Sequence, residues 1–128
     1  MQPRYFSVEE ANAALHVIRP LIAAILRIRD EIIARQPDVW PAVERSAGNG
    51  GNATLSKMAV DFGRLDELVH KVLDTGVQVK DINTGLMDFP AWRVDHEVYL
   101  CWKYGEDRIG FWHEIDAGFA GRRPIEEF

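Results

Sequence analysis

The second half of the sequence gathers the side chains that can do chemistry. Asp81, Asp88, Glu106, His113 and Arg122 fall there, with the single cysteine, Cys101, among them. His113 is the most suggestive. A histidine held by a carboxylate in a half-buried place is the unit from which general bases and metal ligands are made. The same pair also occurs as plain core structure, because buried polar groups find partners whether or not they act. Carboxylates are plentiful, since Asp107, Glu114 and Asp116 join the acids just named. A hard cation would accept a set drawn from them, and a transition metal would add His113. Asp88 and His113 are therefore the candidate ligands of a divalent metal. Asp81, Asp88, Glu106, His113 and Arg122 are the candidate ligand-binding residues. No H-E-x-x-H, EF-hand or C-x-x-C spacing is present. No nucleophile–base–orienter set is visible either, so the sequence names no catalytic residues and no reaction.

Gly118-Phe119-Ala120-Gly121-Arg122-Arg123-Pro124 is the second candidate. Two glycines three apart can turn backbone N–H groups into an anion nest, with two arginines to clamp a phosphate or carboxylate. The simpler reading, which we favour, is a tight turn that docks Phe119 on the sheet while Arg122 pairs with an acid. Cys101 has no cation or helix N-terminus beside it in sequence and reads as a small buried hydrophobe. Trp92, Trp102 and Trp112, with Tyr99 and Phe111, form either a pocket wall or, more commonly, core. His16 and His70 fall near the edges of helical stripes, and His96 reads as solvated in a polar loop.

The elements that must position these residues follow from periodicity. Ser7 and Glu10 have the spacing of a capping box, after which Val8, Ala11, Leu15, Ile18, Ile22 and Ile25 recur in steps of three and four. This predicts a helix to about Arg35, kinked near Pro20. Residues 36–53, with two prolines and the run Gly48–Asn52, read as a mobile loop in which Val39, Trp40 and Val43 make a short apolar turn. Leu55, Met58, Phe62, Leu65, Val69 and Val72 predict a second helix that stops at Gly76. The two stripes match, which predicts an antiparallel helical hairpin over 7–76.

Beyond Gly76 the period changes to two. Val77 and Val79, Leu86 to Phe89, Val98 to Trp102 and Arg108 to Glu114 read as about four strands of a small antiparallel sheet. A short Tyr104–Asp107 turn would pair Lys103 with Arg108. That sets Tyr99 opposite Trp112, Leu100 opposite Phe111, Cys101 opposite Gly110 and Val98 opposite His113, with His113 on the side of Val98 and Leu100. The fold class is α+β and the chain is one domain, 1–128, its sheet and C-terminal Gly/Arg loop occupying 77–128. The candidate residues then surround a cleft between sheet and helices, with Glu106 at its mouth.

The chain has 128 residues, 15 Lys+Arg against 20 Asp+Glu, and a formal charge of −5. An acidic balance disfavours broad binding to nucleic acid. Apolar runs such as Leu21–Leu26 fall short of a membrane span, no signal-peptide pattern opens the chain, and one cysteine forbids an internal disulfide. A cytoplasmic protein is expected, with neither nucleic acid nor membrane as partner. The helical stripe is broad enough to need a second cover, either the sheet or another copy of the chain in a homodimer.

One series of motifs is specific in combination. Val79-Lys80-Asp81, Thr84-Gly85-Leu86, Asp88-Phe89-Pro90, Cys101-Trp102, Gly105-Glu106, Trp112-His113 and Gly118 to Arg122 with Pro124 follow one another, and Phe6 to Asn12 opens the chain in the same manner. Together they resemble the bacterial domain-of-unknown-function family 2203 over nearly the whole chain. The resemblance implies a small cytoplasmic single-domain protein and no assigned activity. Two functions stay open: binding of a small ligand or metal ion at the carboxylate/His cluster, or a non-enzymatic, homo-oligomerising interaction module built on the helices.

Overall fold

The computed structural model describes residues 4–35, 37–47 and 60–128. The fold is α+β. Helix α1 spans Val8–Arg35 and begins with the expected capping box: Ser7 Oγ accepts from the Glu10 N–H at 3.0 Å, and the Ser7 N–H donates to Glu10 Oε1 at 2.9 Å. It runs through Pro20 to its end and buries Ala11, Leu15, Ile18, Ile22, Ile25, Ile28 and Ile32. Taken as a whole helix rather than as short apolar runs, α1 is long and apolar enough to cross a membrane, a test that core helices also pass. Here its stripe is buried in the same core as the sheet.

Helix α2 covers Trp40–Ala47 and α3 covers Val60–Leu73, so the described residues contain three helices where the sequence suggests a two-helix hairpin. Within the loop expected over 36–53, residues 40–47 form α2. Trp40 and Val43 are buried, and Trp40 Nε1 donates to Asn83 Oδ1 at 3.2 Å, tying α2 to the turn that joins the first two strands. The glycine run Gly48–Asn52, Leu55 and Met58 lie outside the described residues. Helix α3 packs on α1 and contributes Phe62, Leu65, Val69 and Val72 to the core. It closes as expected at Gly76, whose φ of 99° suits glycine and whose N–H bonds the Leu73 carbonyl at 3.0 Å.

The sheet is an antiparallel meander of five strands, β1 (Gln78–Asp81), β2 (Leu86–Arg93), β3 (His96–Lys103), β4 (Phe111–Glu114) and β5 (Arg123–Pro124). The fifth strand has two residues, too few to leave an alternating pattern in the sequence.

One register differs from expectation. Tyr99 pairs with His113, Leu100 with Trp112 and Cys101 with Phe111, a slip of one residue from the Lys103–Arg108 pairing. The β3–β4 connection occupies 104–110 rather than a tight turn, because Ile109 is drawn into the core and its N–H donates to Asn12 Oδ1 of α1 at 2.8 Å. With a side-chain period of two, such a slip exchanges the faces of β4. Met87, Phe89, Ala91, Val98, Leu100, Trp102 and Trp112 are buried with the helices. Asp88, Tyr99, Cys101, Phe111 and His113 take the opposite face. The expected site between sheet and helices is therefore on the outer face, and His113 does not share a side with Leu100.

Candidate functional site

Three neighbouring strands build the site. Asp88 on β2 stands directly opposite Cys101 on β3, and His113 on β4 stands opposite Tyr99. His113 therefore reaches across β3, past Tyr99, to meet Asp88. Its Nε2 lies 3.0 Å from Asp88 Oδ1, and its ring sits edge-on to Tyr99 at 5.6 Å between centroids. Asp88, Cys101 and His113 are all buried, and their ligand atoms lie within 4.8 Å of one another. These three floor a cleft of about 190 Å³ whose walls are Lys80, Leu86, Tyr99, Ile115, Gly118 and Phe119.

His113 Nδ1 faces the Glu114 carbonyl oxygen at 2.7 Å. That oxygen only accepts, so Nδ1 carries a hydrogen. The contact between Nε2 and Asp88 then needs a second proton, shared by imidazole and carboxyl. Burial pushes the Cys101 thiol up to about 12, and the neighbouring Asp88 charge and hydrogen bond push in the same direction. A thiol pushed up by burial beside a carboxylate stays protonated near neutral pH, which disfavours a nucleophilic role. As metal ligands the same three atoms are well suited, because a divalent ion displaces both protons.

The other candidates take different places. Glu106 and Arg122 pair with each other, Arg122 Nη2 donating to Oε2 at 2.6 Å, and line neither this cleft nor the lobe beside it. The Arg122 guanidinium stacks 3.8 Å over Phe111, and Glu106 Oε1 accepts from the Lys103 N–H at 2.8 Å. The Gly/Arg segment is thus the tight turn of the simpler reading, with a short 3₁₀ turn at Phe119–Gly121. Asp81 accepts from the Asn83 N–H at 2.9 Å and lines an adjoining lobe of about 240 Å³ with Thr84, Leu86, Lys103 and Phe119. Trp102 and Trp112 are core and Trp92 is half exposed. His96 opens β3 rather than lying in the loop, its partly exposed ring held between Asp95 (3.0 Å) and Glu114 (2.8 Å), and these bonds raise its pKa.

The sequence profile of the uncharacterized conserved protein family DUF2203 matches residues 4–125. The chain belongs to DUF2203. The match covers the capping box, every strand and all three residues of the buried cluster. No curated protein and no solved structure matches the chain.

Residue type points to Asp88 and His113 and offers Tyr99 as either pocket wall or core, while Cys101 as a ligand and the wall residues Lys80 and Phe119 are not foreseen. The signal that exposes Cys101 is strand parity: on β3 it alternates with Leu100 and Trp102, and pairing β4 one residue further along brings it to the side of His113.

Proposed function

We propose that this DUF2203 chain binds one divalent transition metal through Asp88 Oδ, Cys101 Sγ and His113 Nε2, with a fourth position open to the cleft. One observation carries the reading: three ligand atoms of different chemistry converge within 4.8 Å on the buried floor of a cleft. The imidazole is already oriented, because the Nδ1 hydrogen bond to the Glu114 carbonyl is the outer contact that metal-bound histidines make. A thiolate selects zinc-like ions over the hard cations that a purely carboxylate site would take. Zinc itself accepts sulfur at about 2.3 Å and nitrogen or oxygen at about 2.0–2.2 Å, and three protein ligands with one open position is its catalytic pattern.

Native mass spectrometry with elemental analysis tests this. Freshly purified protein is expected to carry close to one zinc-like ion per chain, with Cys101→Ser and His113→Gln lowering occupancy at least about tenfold, the scale on which a lost ligand or its outer support acts. Metal-free protein whose mass and melting temperature are unmoved by added zinc contradicts the proposal. The same spectra report the second reading, association through the helices. Its support is narrow: the stripe of α1 is buried within the chain, leaving Val17 and Ile33 as its exposed large apolar residues.

A further inference from the structure

The cleft above the cluster continues into a second lobe. Leu86 and Phe119 line both, so they form a shared apolar wall between a metal end and a far end. Each lobe also contains one lysine. Lys80 lines the first, its ammonium 4.9 Å from the Tyr99 ring, and Lys103 lines the second, 5.7 Å from the Phe119 ring. Among the described residues neither lysine makes an ion pair, although acids surround the site. Both are held over aromatic faces instead, with their hydrogen-bonding capacity unspent.

Charge counting then decides what the first lobe attracts. A divalent ion bound by the Asp88 carboxylate and the Cys101 thiolate, with His113 neutral, has no net charge. The nearest uncompensated charge on the cleft wall is the ammonium of Lys80. Beyond it the wall is apolar, and the far lobe is polar again through Asp81, Thr84 and Lys103.

Resting on the metal reading above, we infer that the cleft binds a small organic carboxylate with an apolar body. One carboxylate oxygen takes the open metal position and the other meets Lys80, while the body lies along Leu86 and Phe119. A phosphate ester fits less well, since a dianion on a neutral metal centre would find one ammonium on the cleft wall. In the Gly118–Gly121 turn the Gly121 N–H donates to the Gly118 carbonyl at 3.0 Å and the Arg122 N–H to the Phe119 carbonyl at 3.2 Å.

Cobalt-substituted protein separates this inference from the metal reading. A thiolate-to-cobalt charge-transfer band reports the Cys101 bond, and the visible ligand-field bands report the fourth position. Titration with hydrocinnamate, a phenyl ring on a short carboxylate, is expected to shift the ligand-field bands while the charge-transfer band persists. Lys80→Gln, an exposed position, is expected to weaken that titration about tenfold, the equivalent of one charged hydrogen bond, without changing cobalt stoichiometry. Phe119→Ala is expected to weaken it as well. Unchanged ligand-field bands at saturating hydrocinnamate, or equal binding of the neutral amide, overturn the carboxylate inference and leave the metal site standing. Absence of the charge-transfer band overturns both.

Discussion

His113 makes two hydrogen bonds that oppose each other chemically, one to a carbonyl that only accepts and one to a carboxyl that must then share a proton. Cys101 adds a thiol pushed up to about 12 by burial and by Asp88. A metal held by the thiolate displaces the thiol proton and any proton held between His113 and Asp88, so near pH 7 it is expected to release at least one proton per ion. Calorimetric titration in buffers of different ionisation enthalpy measures that number, and release near zero contradicts the ligand set. His96 offers a separate prediction. Its hydrogen bonds to Asp95, then to Glu114, raise its pKa, so the stability they contribute is complete below its ordinary 6.5 and fades as pH rises through the raised value. The side chains are exposed, so the effect is small. An NMR titration is expected to give a His96 midpoint above 6.5, and His96→Gln to remove this part of the pH dependence. A midpoint at or below 6.5 contradicts the assigned bonds.

At the scale of elements, local chemistry settles most of the boundaries and tertiary contacts settle the rest. Ser7 and Glu10 begin α1 and Gly76 closes α3, both from side-chain or backbone properties a sequence displays directly. The β2–β3 hairpin turns through Val94-Asp95, with Val94 at a φ of 59° in a place that usually goes to glycine. A β-branched residue there is strained by about 1–2 kcal/mol. Val94 is exposed and packs little, so Val94→Gly is expected to raise stability in urea unfolding. A loss contradicts the strain. The β3–β4 register is illegible locally, because it depends on a hydrogen bond from Ile109 to Asn12 across 97 positions of sequence. That one contact moves His113 to the outer face, and with it the site. Helix α2 is hidden for a similar reason: its anchor, Trp40 on Asn83, joins segments far apart in the chain.

The whole molecule is a helical layer on one face of a meander, and the joint between the layers is tight. Gly85, with a φ of 71°, leaves no room for a side chain: an added Cβ would lie 2.7 Å from Tyr104 Cβ and 3.0 Å from Ile22 Cγ2 of α1. Gly85→Ala is expected to cost about 1–2 kcal/mol from backbone conformation alone and more from the clash. A melting temperature equal to the parent's contradicts this packing. Because the helices claim the inner face, the outer face keeps its polar row of Asp88, Cys101 and His113. The sequence displays two members of that row by residue type and conceals the third, since nothing near Cys101 in the chain marks it as a ligand. The most direct measurement is X-ray absorption on the zinc-loaded protein. The ligand set predicts one sulfur at about 2.3 Å and nitrogen or oxygen neighbours at about 2.0–2.2 Å, with the sulfur shell absent in Cys101→Ser. A spectrum with only nitrogen and oxygen neighbours in the parent protein contradicts the metal centre.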